Sequence, residues 1–355
     1  MSVTTAPTTM RRITVQPGGI VELTQVDRPQ PQPGEILVAS TVVGVCGSDT
    51  HAAAGHHPFV PLPYNPGHEV VGSVVELGPD VAADAGVKVG DRVIVEPTLP
   101  CWHCKNCLNG RINLCENLRF FGCVYDQGGM ADYFTIPANR VHVLPDDLDD
   151  LQSVLIEPLA TPVHAVKLSG GVQDKAVAII GAGTIGLLVL AAARHAGARR
   201  IVMTDQLDSK RQRALQLGAD AVVDATASDV VSQVRAELGE SADVVFDCVA
   251  IQPTVDQAVQ LAIKGGTVVI VGVPARPVTV PLPEIQDLQV RIQGSATYVP
   301  EDYATALEII QSGKVRVEDM VTARFPIEQA DQAYAASAGG QEVKVVVLVG
   351  DGDRQ

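Results

Sequence analysis

The sequence predicts an α/β protein in which a doubly wound parallel sheet accompanies a second, β-rich domain. Three observations lead to this fold class. A glycine-rich turn joins an apolar strand to an apolar helix, strands and helices alternate after it, and short β-rich runs punctuated by Gly, Pro and Asp precede it. The 355 residues suffice for two domains with sizeable cores. We expect residues 1–157 and 295–355 to form the β-rich domain, and residues 158–294 the parallel-sheet domain.

The β-rich domain is predicted from short apolar runs. Residues 36–45 follow a Pro-Gly turn and form a run of buried-strand character. Two further β-rich runs cover residues 70–77 and 92–95. Such runs are typical of an open barrel of short strands. This part of the chain also carries two clusters of potential metal ligands.

The first cluster combines a thiol, an imidazole and a carboxylate. Cys46 ends a predicted strand, and His68 and Glu69 lie on a later loop. Residues of these types hold catalytic zinc, which takes three protein ligands and keeps one position open. Ser48 and His51 follow Cys46 closely, and we expect Ser48 to accept a proton that His51 passes to solvent.

Each of these residues also has a structural interpretation. Cys46 alone could be a small core residue, and His68 alone a turn histidine with its hydrogen bonds satisfied. Ser48 and His51 could simply cap the turn after Cys46. The combination beside glycine-rich turns favours zinc, and Asp49 is then the candidate carboxylate that orients His68.

The second cluster consists of four cysteines inside a loop of about residues 97–118. Four thiolates this close together can complete a tetrahedral zinc site with no open position. An iron–sulfur cluster is the alternative, but the last gap is too long for the bacterial ferredoxin motif and no Pro follows the last cysteine. Structural zinc is therefore favoured over an iron–sulfur cluster and over disulfides. The four predicted ligands are Cys101, Cys104, Cys107 and Cys115.

The glycine-rich turn predicts dinucleotide binding. An apolar strand, 176–180, enters a GxGxxG turn that opens an Ala-rich helix, and a second strand, 200–204, ends on Asp205. In such a βαβ unit the glycines let the backbone approach a pyrophosphate at the helix start, and the acid accepts hydrogen bonds from the adenosine ribose. The candidate cofactor-binding residues are Gly181, Gly183, Thr184, Ile185, Gly186 and Asp205.

Asp205 favours NAD over NADP, because a carboxylate repels a 2′-phosphate. Lys210 is a further candidate beside the ribose, although a solvated helix lysine is the alternative. The apolar run 176–193 is long enough for a membrane span, but its three glycines fit a strand–turn–helix unit better. Further strands are predicted at 221–223, 244–247 and 267–271, with helices near 210–217, 230–238 and 254–263.

Composition restricts the possible partners. The net charge of −15 and the pI near 4.9 argue against nucleic acid or an anionic membrane surface. No apolar secretory segment is visible at the N-terminus. Four of the seven cysteines fall within fifteen residues, which is typical of metal ligation in a reducing compartment. We expect a cytoplasmic protein with a small-molecule substrate.

Together these motifs resemble the zinc-dependent medium-chain alcohol dehydrogenases. The similarity is greatest to their polyol and secondary-alcohol branch, which includes sorbitol, butanediol and threonine dehydrogenases, and it covers nearly the whole chain in the expected order. The residues that carry it are GVCGSDTH (44–51), PGHEVVG (66–72), GDRV (90–93), the four cysteines, EPL (157–159), GAGTIG (181–186), Asp205, LGAD (217–220) and Gly265-Gly266.

The resemblance implies a GroES-like catalytic domain and a Rossmann domain, with one catalytic zinc, one structural zinc and NAD per chain, in a homotetramer or homodimer. It implies that Glu157 is the fourth metal ligand or an acid near the metal. Whether Glu69, Glu157 or water completes the catalytic shell is left open. It also implies backbone contacts to the nicotinamide amide. The further candidate cofactor residues are Val249, Val271, Gly272, Val273 and Thr297.

The implied reaction is reversible hydride transfer between a secondary alcohol or polyol and NAD. A metal-free medium-chain reductase of the quinone or enoyl type is one alternative, but such enzymes lack the Cys46/His68 pair. A non-enzymatic dinucleotide-binding protein is another, although it would have no need of Ser48 and His51.

Overall fold

The computed structural model describes residues 8–350. The chain divides into two compact units. One contains the described residues up to Glu157 and those from Met320 onward, and the other is Pro158–Asp319. Residues 295–319, which the sequence assigned to the β-rich domain, therefore lie in the second unit.

The elements are numbered in chain order. The first are β1 (Thr9–Gln16), β2 (Ile20–Asp27), β3 (Glu35–Val45), α1 (Gly47–Ala53), β4 (Glu69–Leu77), β5 (Arg92–Val95), β6 (Thr98–Leu99), α2 (Lys105–Leu108), β7 (Arg119–Phe120), β8 (Tyr133–Pro137), β9 (Val141–Val143) and α3 (Asp150–Ser153). The middle ones are α4 (Ile156–Leu168), β10 (Ala176–Ile180), α5 (Thr184–His195), β11 (Arg200–Asp205), α6 (Asp208–Gln216), β12 (Ala221–Asp224), α7 (Val230–Leu238), β13 (Ala242–Asp247), α8 (Gln252–Leu261), β14 (Ala262–Ile270), α9 (Leu282–Asp287), β15 (Arg291–Gly294) and α10 (Pro300–Gln311). The last are α11 (Val317–Met320), β16 (Val321–Pro326), α12 (Ala330–Ala338) and β17 (Lys344–Leu348).

Strand β3 organises the first unit. Its sheet has the order β16-β17-β3-β4-β5-β9, and β8 also pairs with β3. Except for the half-buried Ala39, the apolar side chains of β3 are buried, as expected of a central strand. β3 ends at Val45, and its residue Gly44 pairs with Glu69, the first residue of β4. This register brings Cys46, just after β3, next to His68, just before β4.

A small lobe between β6 and β7 carries the four cysteines. Three of them pack with Ile112 in a cluster of their own. Next to the lobe, Glu96, after β5, and Arg140, before β9, form a buried ion pair. The Arg140 guanidinium lies 5.8 Å from the ring centroid of Trp102, which belongs to the lobe.

The second unit is the predicted doubly wound sheet. Its six strands are parallel in the order β12-β11-β10-β13-β14-β15. Every residue of β10 is buried, which is expected of a strand covered on both faces. The chain places β11 and β12 on one side of β10 and β13 to β15 on the other, so the strand order reverses at β10. Ligands of such sheets bind outside the carboxyl ends of the strands at this reversal.

Contacts of Asp302 explain why the second unit extends to Asp319. Asp302, in the first turn of α10, is fully buried. Its Oδ1 accepts a hydrogen bond from Lys167 at 2.6 Å, and its Oδ2 lies 2.8 Å from Nδ1 of His164. Both partners belong to α4, so α10 is bound to the same unit as the parallel sheet. Within residues 8–350 no helix combines the length and apolar character needed to cross a membrane.

Candidate active site and metal centres

Cys46 is positioned by the start of α1. Its backbone is extended, with φ −85° and ψ 154°, and it immediately precedes the helix. The Asp49 carboxylate accepts a hydrogen bond from the Cys46 backbone N–H at 3.0 Å. The same carboxylate accepts a hydrogen bond from the Tyr64 hydroxyl at 3.2 Å. Asp49 is buried, and this burial raises its pKa.

The predicted catalytic ligands converge. The Cys46 thiol, a His68 ring nitrogen and a Glu69 carboxylate oxygen all lie within 4.8 Å of one another. His68 and Glu69 are buried, while Cys46 is partly exposed. Zinc bonds of roughly 2.0–2.3 Å keep the ligands of one ion within about 4 Å of each other. The arrangement therefore fits a metal centre after side-chain adjustments of less than about an ångström.

The far side of the His68 ring faces Asp49 and Cys123. His68 Nδ1 lies 3.8 Å from Asp49 Oδ1 and 3.4 Å from the Cys123 thiol. Asp49 was the predicted orienting group, whereas Cys123 was not expected in the site. Cys123 lies fifty-five residues from His68 and belongs to no spaced motif, so nothing in the sequence linked the two.

Lys344 is a second site residue that the sequence reading missed. Its ammonium group donates to both carboxylate oxygens of Glu69, at 2.7 and 2.8 Å, and lies 3.3 Å from the Val45 carbonyl. Burial alone lowers the pKa of Lys344, but attraction to Glu69, Cys46 and Glu157 outweighs it and raises the pKa above the usual lysine value. Lys344 begins the last strand and is followed by a continuous apolar run, a pattern that gives no sign of a metal centre.

The remaining predicted residues of this centre lie on α1 and α4. Ser48 and His51 are both on α1, where Ser48 is half-buried and His51 is exposed. Glu157 is buried in the first turn of α4. Among the described residues, the compact ligand group contains Glu69 rather than Glu157. The proton relay and the ligand role of Glu157 stay predictions.

The four lobe cysteines form a closed group. Their sulfur atoms all lie within 4.8 Å of one another, with 3.5 Å between Cys104 and Cys107 and 4.0 Å between Cys104 and Cys115. Backbone N–H groups of His103 and Cys104 lower the pKa of Cys101 to about 6. Four sulfurs in this arrangement match a structural zinc centre without an open position.

The glycine-rich turn of the second unit forms an anion cradle. Gly181 has φ +94° and donates its N–H to the Thr204 carbonyl at 2.8 Å. A Cβ at Gly186 would lie 1.9 Å from the Gly181 carbonyl oxygen, so only glycine allows helix α5 to pack this closely. A Cβ at Gly183 would meet nothing within 4 Å, and no side chain caps the start of α5. The open space and the helix N-terminus suit a pyrophosphate.

Asp205 fixes this turn from the end of β11. Its Oδ2 accepts a hydrogen bond from Ala182 N–H at 2.8 Å, and its Oδ1 accepts one from Leu207 N–H at 2.9 Å. Arg211, which the sequence reading passed over in favour of Lys210, donates to the Asp205 carbonyl at 2.9 Å. Its guanidinium also pairs with Asp208 at 3.3 Å, which offsets part of its positive charge.

Three hydroxyls in this unit fit a missing polar ligand. The side-chain oxygens of Thr204, Ser295 and Thr297 are buried and have no hydrogen-bond partner within the described chain. Thr297 also has φ +49°, a left-handed conformation that is unfavourable for a β-branched residue. Thr204 lies in β11 next to Asp205, and Ser295 and Thr297 follow the carboxyl end of β15. These unsatisfied groups are consistent with a dinucleotide along the carboxyl edge of the sheet.

The other predicted cofactor residues also follow strand ends. Val249 follows β13, and Val271, Gly272 and Val273 follow β14. A Cβ at Gly272 would lie 2.8 Å from the Val249 carbonyl carbon, so the two chain segments touch here. Val249 and Val273 are partly exposed, at 38% and 52%. Their contacts to a cofactor, like that of Lys210, stay predictions.

Comparison with known proteins agrees with this geometry. The family model for the alcohol dehydrogenase GroES-like domain matches residues 32–146, and the model for zinc-binding dehydrogenase matches residues 184–312. Sorbitol dehydrogenase of Gallus gallus is 32% identical over 342 residues, which cover 94% of this chain and 95% of the relative. D-xylulose reductase A of Aspergillus oryzae is 30% identical over 353 residues, covering 96% and 98%.

A solved structure extends the comparison to the fold. A protein from Sinorhizobium meliloti 1021, assigned to the zinc-binding dehydrogenases and bound to NADP, superposes with a TM-score of 0.88. It is 33% identical, and the match covers 97% of this chain and 100% of that one.

Fold, ligand groups and relatives together define a two-unit oxidoreductase that uses zinc and a nicotinamide dinucleotide. The chain belongs to the family of zinc-type alcohol dehydrogenases, as the resemblance in its motifs implied. The predicted fold class, a GroES-like domain with a Rossmann domain, is confirmed.

Proposed function

We propose that this protein catalyses the reversible, NAD-dependent oxidation of a polyol or other secondary alcohol to the ketone. The convergence of Cys46, His68 and Glu69 on one point is the observation that carries this proposal. Relatives named sorbitol dehydrogenase and D-xylulose reductase support a polyol or its ketose as the substrate class.

Cys46 and His68 would hold the catalytic zinc, with an acid or water completing the shell. Zinc in such a site polarises the alcohol oxygen, in the same sense in which it lowers the pKa of bound water from 15.7 to about 7. Asp49 and Cys123 lie against Nδ1 of His68, so the other ring nitrogen is the one available to the metal. A protein that only binds dinucleotides would have no use for these metal ligands, whose burial is energetically unfavourable.

The positions of two α1 side chains support a role in removing the alcohol proton. Ser48 is half-buried two residues after Cys46, and His51 is exposed on the same helix. We propose that Ser48 accepts the proton and that His51 delivers it to solvent, since an unperturbed imidazole titrates near neutral pH.

The cradle of the second unit would bind NAD rather than NADP. Asp205 projects its carboxylate at the end of β11, where the adenosine ribose is expected. A 2′-phosphate there would face a carboxylate, and the nearby Arg211 is already paired with Asp208. We assign the backbone after β14 and the Thr297 hydroxyl to the nicotinamide half.

Location and assembly complete the proposal. We propose a cytoplasmic enzyme, supported by seven cysteines that are all free thiols in the structure. We further propose a homo-oligomer, either a tetramer or a dimer, as in the family that the motifs resemble. Light scattering after size-exclusion chromatography measures the assembly directly.

The decisive experiment is an NAD-linked activity screen over polyols, diols, amino alcohols and cyclic alcohols, combined with zinc analysis. We expect turnover with at least one polyol and two zinc atoms per chain. The Cys46→Ser variant should lose turnover and one zinc while NAD binding stays largely intact. One zinc per wild-type chain, or full activity of the variant, would refute the assigned function.

A further inference from the structure

We infer that Cys123, rather than Asp49, is the positioning residue that accepts a hydrogen bond from the His68 ring when His68 holds the metal. The inference rests on the proposed metal centre at Cys46 and His68. It revises the expectation from the sequence that a carboxylate orients this histidine, and it gives that role to the sulfur of a buried thiol.

The distances around Nδ1 of His68 favour the sulfur. The Cys123 sulfur lies 3.4 Å from Nδ1, which suits a hydrogen bond to sulfur. Asp49 Oδ1 lies 3.8 Å from the same nitrogen, which is too far for a hydrogen bond between nitrogen and oxygen. A metal on Nε2 leaves the ring proton on Nδ1, so the sulfur is the acceptor of that proton.

Other groups hold the Asp49 carboxylate away from His68. Its Oδ2 accepts a hydrogen bond from the Cys46 backbone N–H at 3.0 Å, and its Oδ1 accepts one from the Tyr64 hydroxyl at 3.2 Å. The Tyr64 hydroxyl also lies 3.5 Å from the Tyr334 hydroxyl, and all three of these side chains are buried. Moving the carboxylate to His68 would break buried hydrogen bonds, which is unfavourable.

The turn that carries Cys123 is shaped to lie against His68. Gly122 has φ +75°, and a Cβ there would lie 2.5 Å from the Gly67 carbonyl carbon and 2.6 Å from the His68 backbone nitrogen. Only glycine therefore allows the two chain segments to touch at this point. The Phe120 ring, on the same turn, packs edge-on against the imidazole, with ring centroids 5.7 Å apart. The turn thus supplies both a packing surface and a hydrogen-bond acceptor for the ring.

Packing alone is the competing explanation for Cys123, since a buried cysteine can serve as a small core residue. Two substitutions separate the explanations. Cys123→Ser keeps a hydrogen-bond acceptor at this position but is polar. Cys123→Val fills the space with apolar atoms but offers no acceptor. If the sulfur orients His68, serine should preserve metal retention and valine should not.

The test measures the rate at which zinc is released to an excess of a coloured chelator. The release phase of the catalytic centre is identified as the phase that is missing in Cys46→Ser. The melting temperature of each variant is recorded alongside. Cys248→Ala is the matched control, because Cys248 is also a free cysteine outside both metal centres but belongs to the other unit.

We expect Cys123→Val and Cys123→Ala to release the catalytic zinc at least about 10-fold faster than the wild type, since losing a group that orients a metal ligand typically costs 10- to 100-fold in metal affinity. Cys123→Ser and Cys248→Ala should release it at close to the wild-type rate. The phase of the four-cysteine centre should be the same in all of these proteins.

Two results would overturn the inference, even if the alanine variant fails to fold: release at the wild-type rate in Cys123→Val, or fast release in Cys123→Ser. A wild-type chain with only one zinc would instead refute the metal centre, and the proposed function with it. A two-zinc protein without turnover on any alcohol would refute the proposed function while the zinc-release assay still decides the role of Cys123.

Discussion

Replacing Asp205 by Asn should reverse much of the preference for NAD over NADP. The Asp205 carboxylate accepts hydrogen bonds from the Ala182 and Leu207 N–H groups, at 2.8 and 2.9 Å. It also carries the negative charge that we expect beside the adenosine ribose. The amide keeps one acceptor oxygen but loses the charge. A mismatched hydrogen bond at this position should cost about 1–3 kcal/mol of NAD affinity, which is roughly 5- to 150-fold.

The effect on NADP should have the opposite sign. Two unit charges about 4 Å apart interact by about 4 kcal/mol at an effective dielectric constant near 20. Asp205 is partly exposed, so we take about half of this value as the relief of repulsion toward a 2′-phosphate. The two terms together predict a fall in the NAD/NADP affinity ratio of at least about 150-fold, equivalent to roughly 3 kcal/mol.

Fluorescence titration of the variant with NADH and NADPH measures the ratio. When the titration is repeated at high ionic strength, the change in the affinity ratio should become smaller, since salt screens exposed charges. Asp243→Asn is the matched control, because Asp243 also accepts a backbone N–H, that of Ala176 at 2.8 Å, but at the opposite end of β10. An unchanged ratio in Asp205→Asn, or an equal change in Asp243→Asn, would remove the ribose role of Asp205.

Three further perturbations test other parts of the structure. Cys104→Ser should remove one zinc per chain and lower the unfolding temperature, and unchanged metal content by atomic absorption would contradict the closed centre. Asp302→Asn should lower the free energy of unfolding by about 1.5–3 kcal/mol near neutral pH in urea titrations. Although burial opposes it, the ion pairs lower the pKa of Asp302, so this difference should shrink as the pH falls below the usual aspartate value of 3.8, and a pH-independent difference would refute the assignment. Gly186→Ala should destabilise the fold because its Cβ would lie 1.9 Å from the Gly181 carbonyl, whereas Gly183→Ala should keep the melting temperature and weaken only NADH binding.

The parts of the molecule that sequence could predict are those with local patterns. The βαβ unit was predicted because its strand, turn, helix and acid are contiguous from β10 to Asp205. The four-cysteine lobe was predicted for the same reason, since its ligands lie within fifteen residues. Cys46 and His68 are further apart, and they were recognised by ligand type and flanking glycines rather than by distance.

The contacts that sequence could not predict join residues far apart along the chain. Lys344 is 275 residues from Glu69, and its pairing depends on β17 docking beside β3. Cys123 lies next to His68 only because of the tertiary structure of the lobe and of the chain segments beside it. Residues 295–319 were placed in the wrong unit because the attachment of Asp302 to α4 depends on tertiary contacts 135 residues apart.

The pairing of β17 with β3 has a consequence for biosynthesis. β3 leaves the ribosome early, but its neighbour β17 follows only after the other strands of the sheet. Until β17 has been synthesised, one edge of the central strand stays open, and such open edges promote aggregation. A nascent chain also lacks the ammonium group that offsets the acidic residues of the catalytic centre. Metal loading of that centre is therefore expected to follow the synthesis of β17, and truncated chains that lack β17 should depend strongly on chaperones.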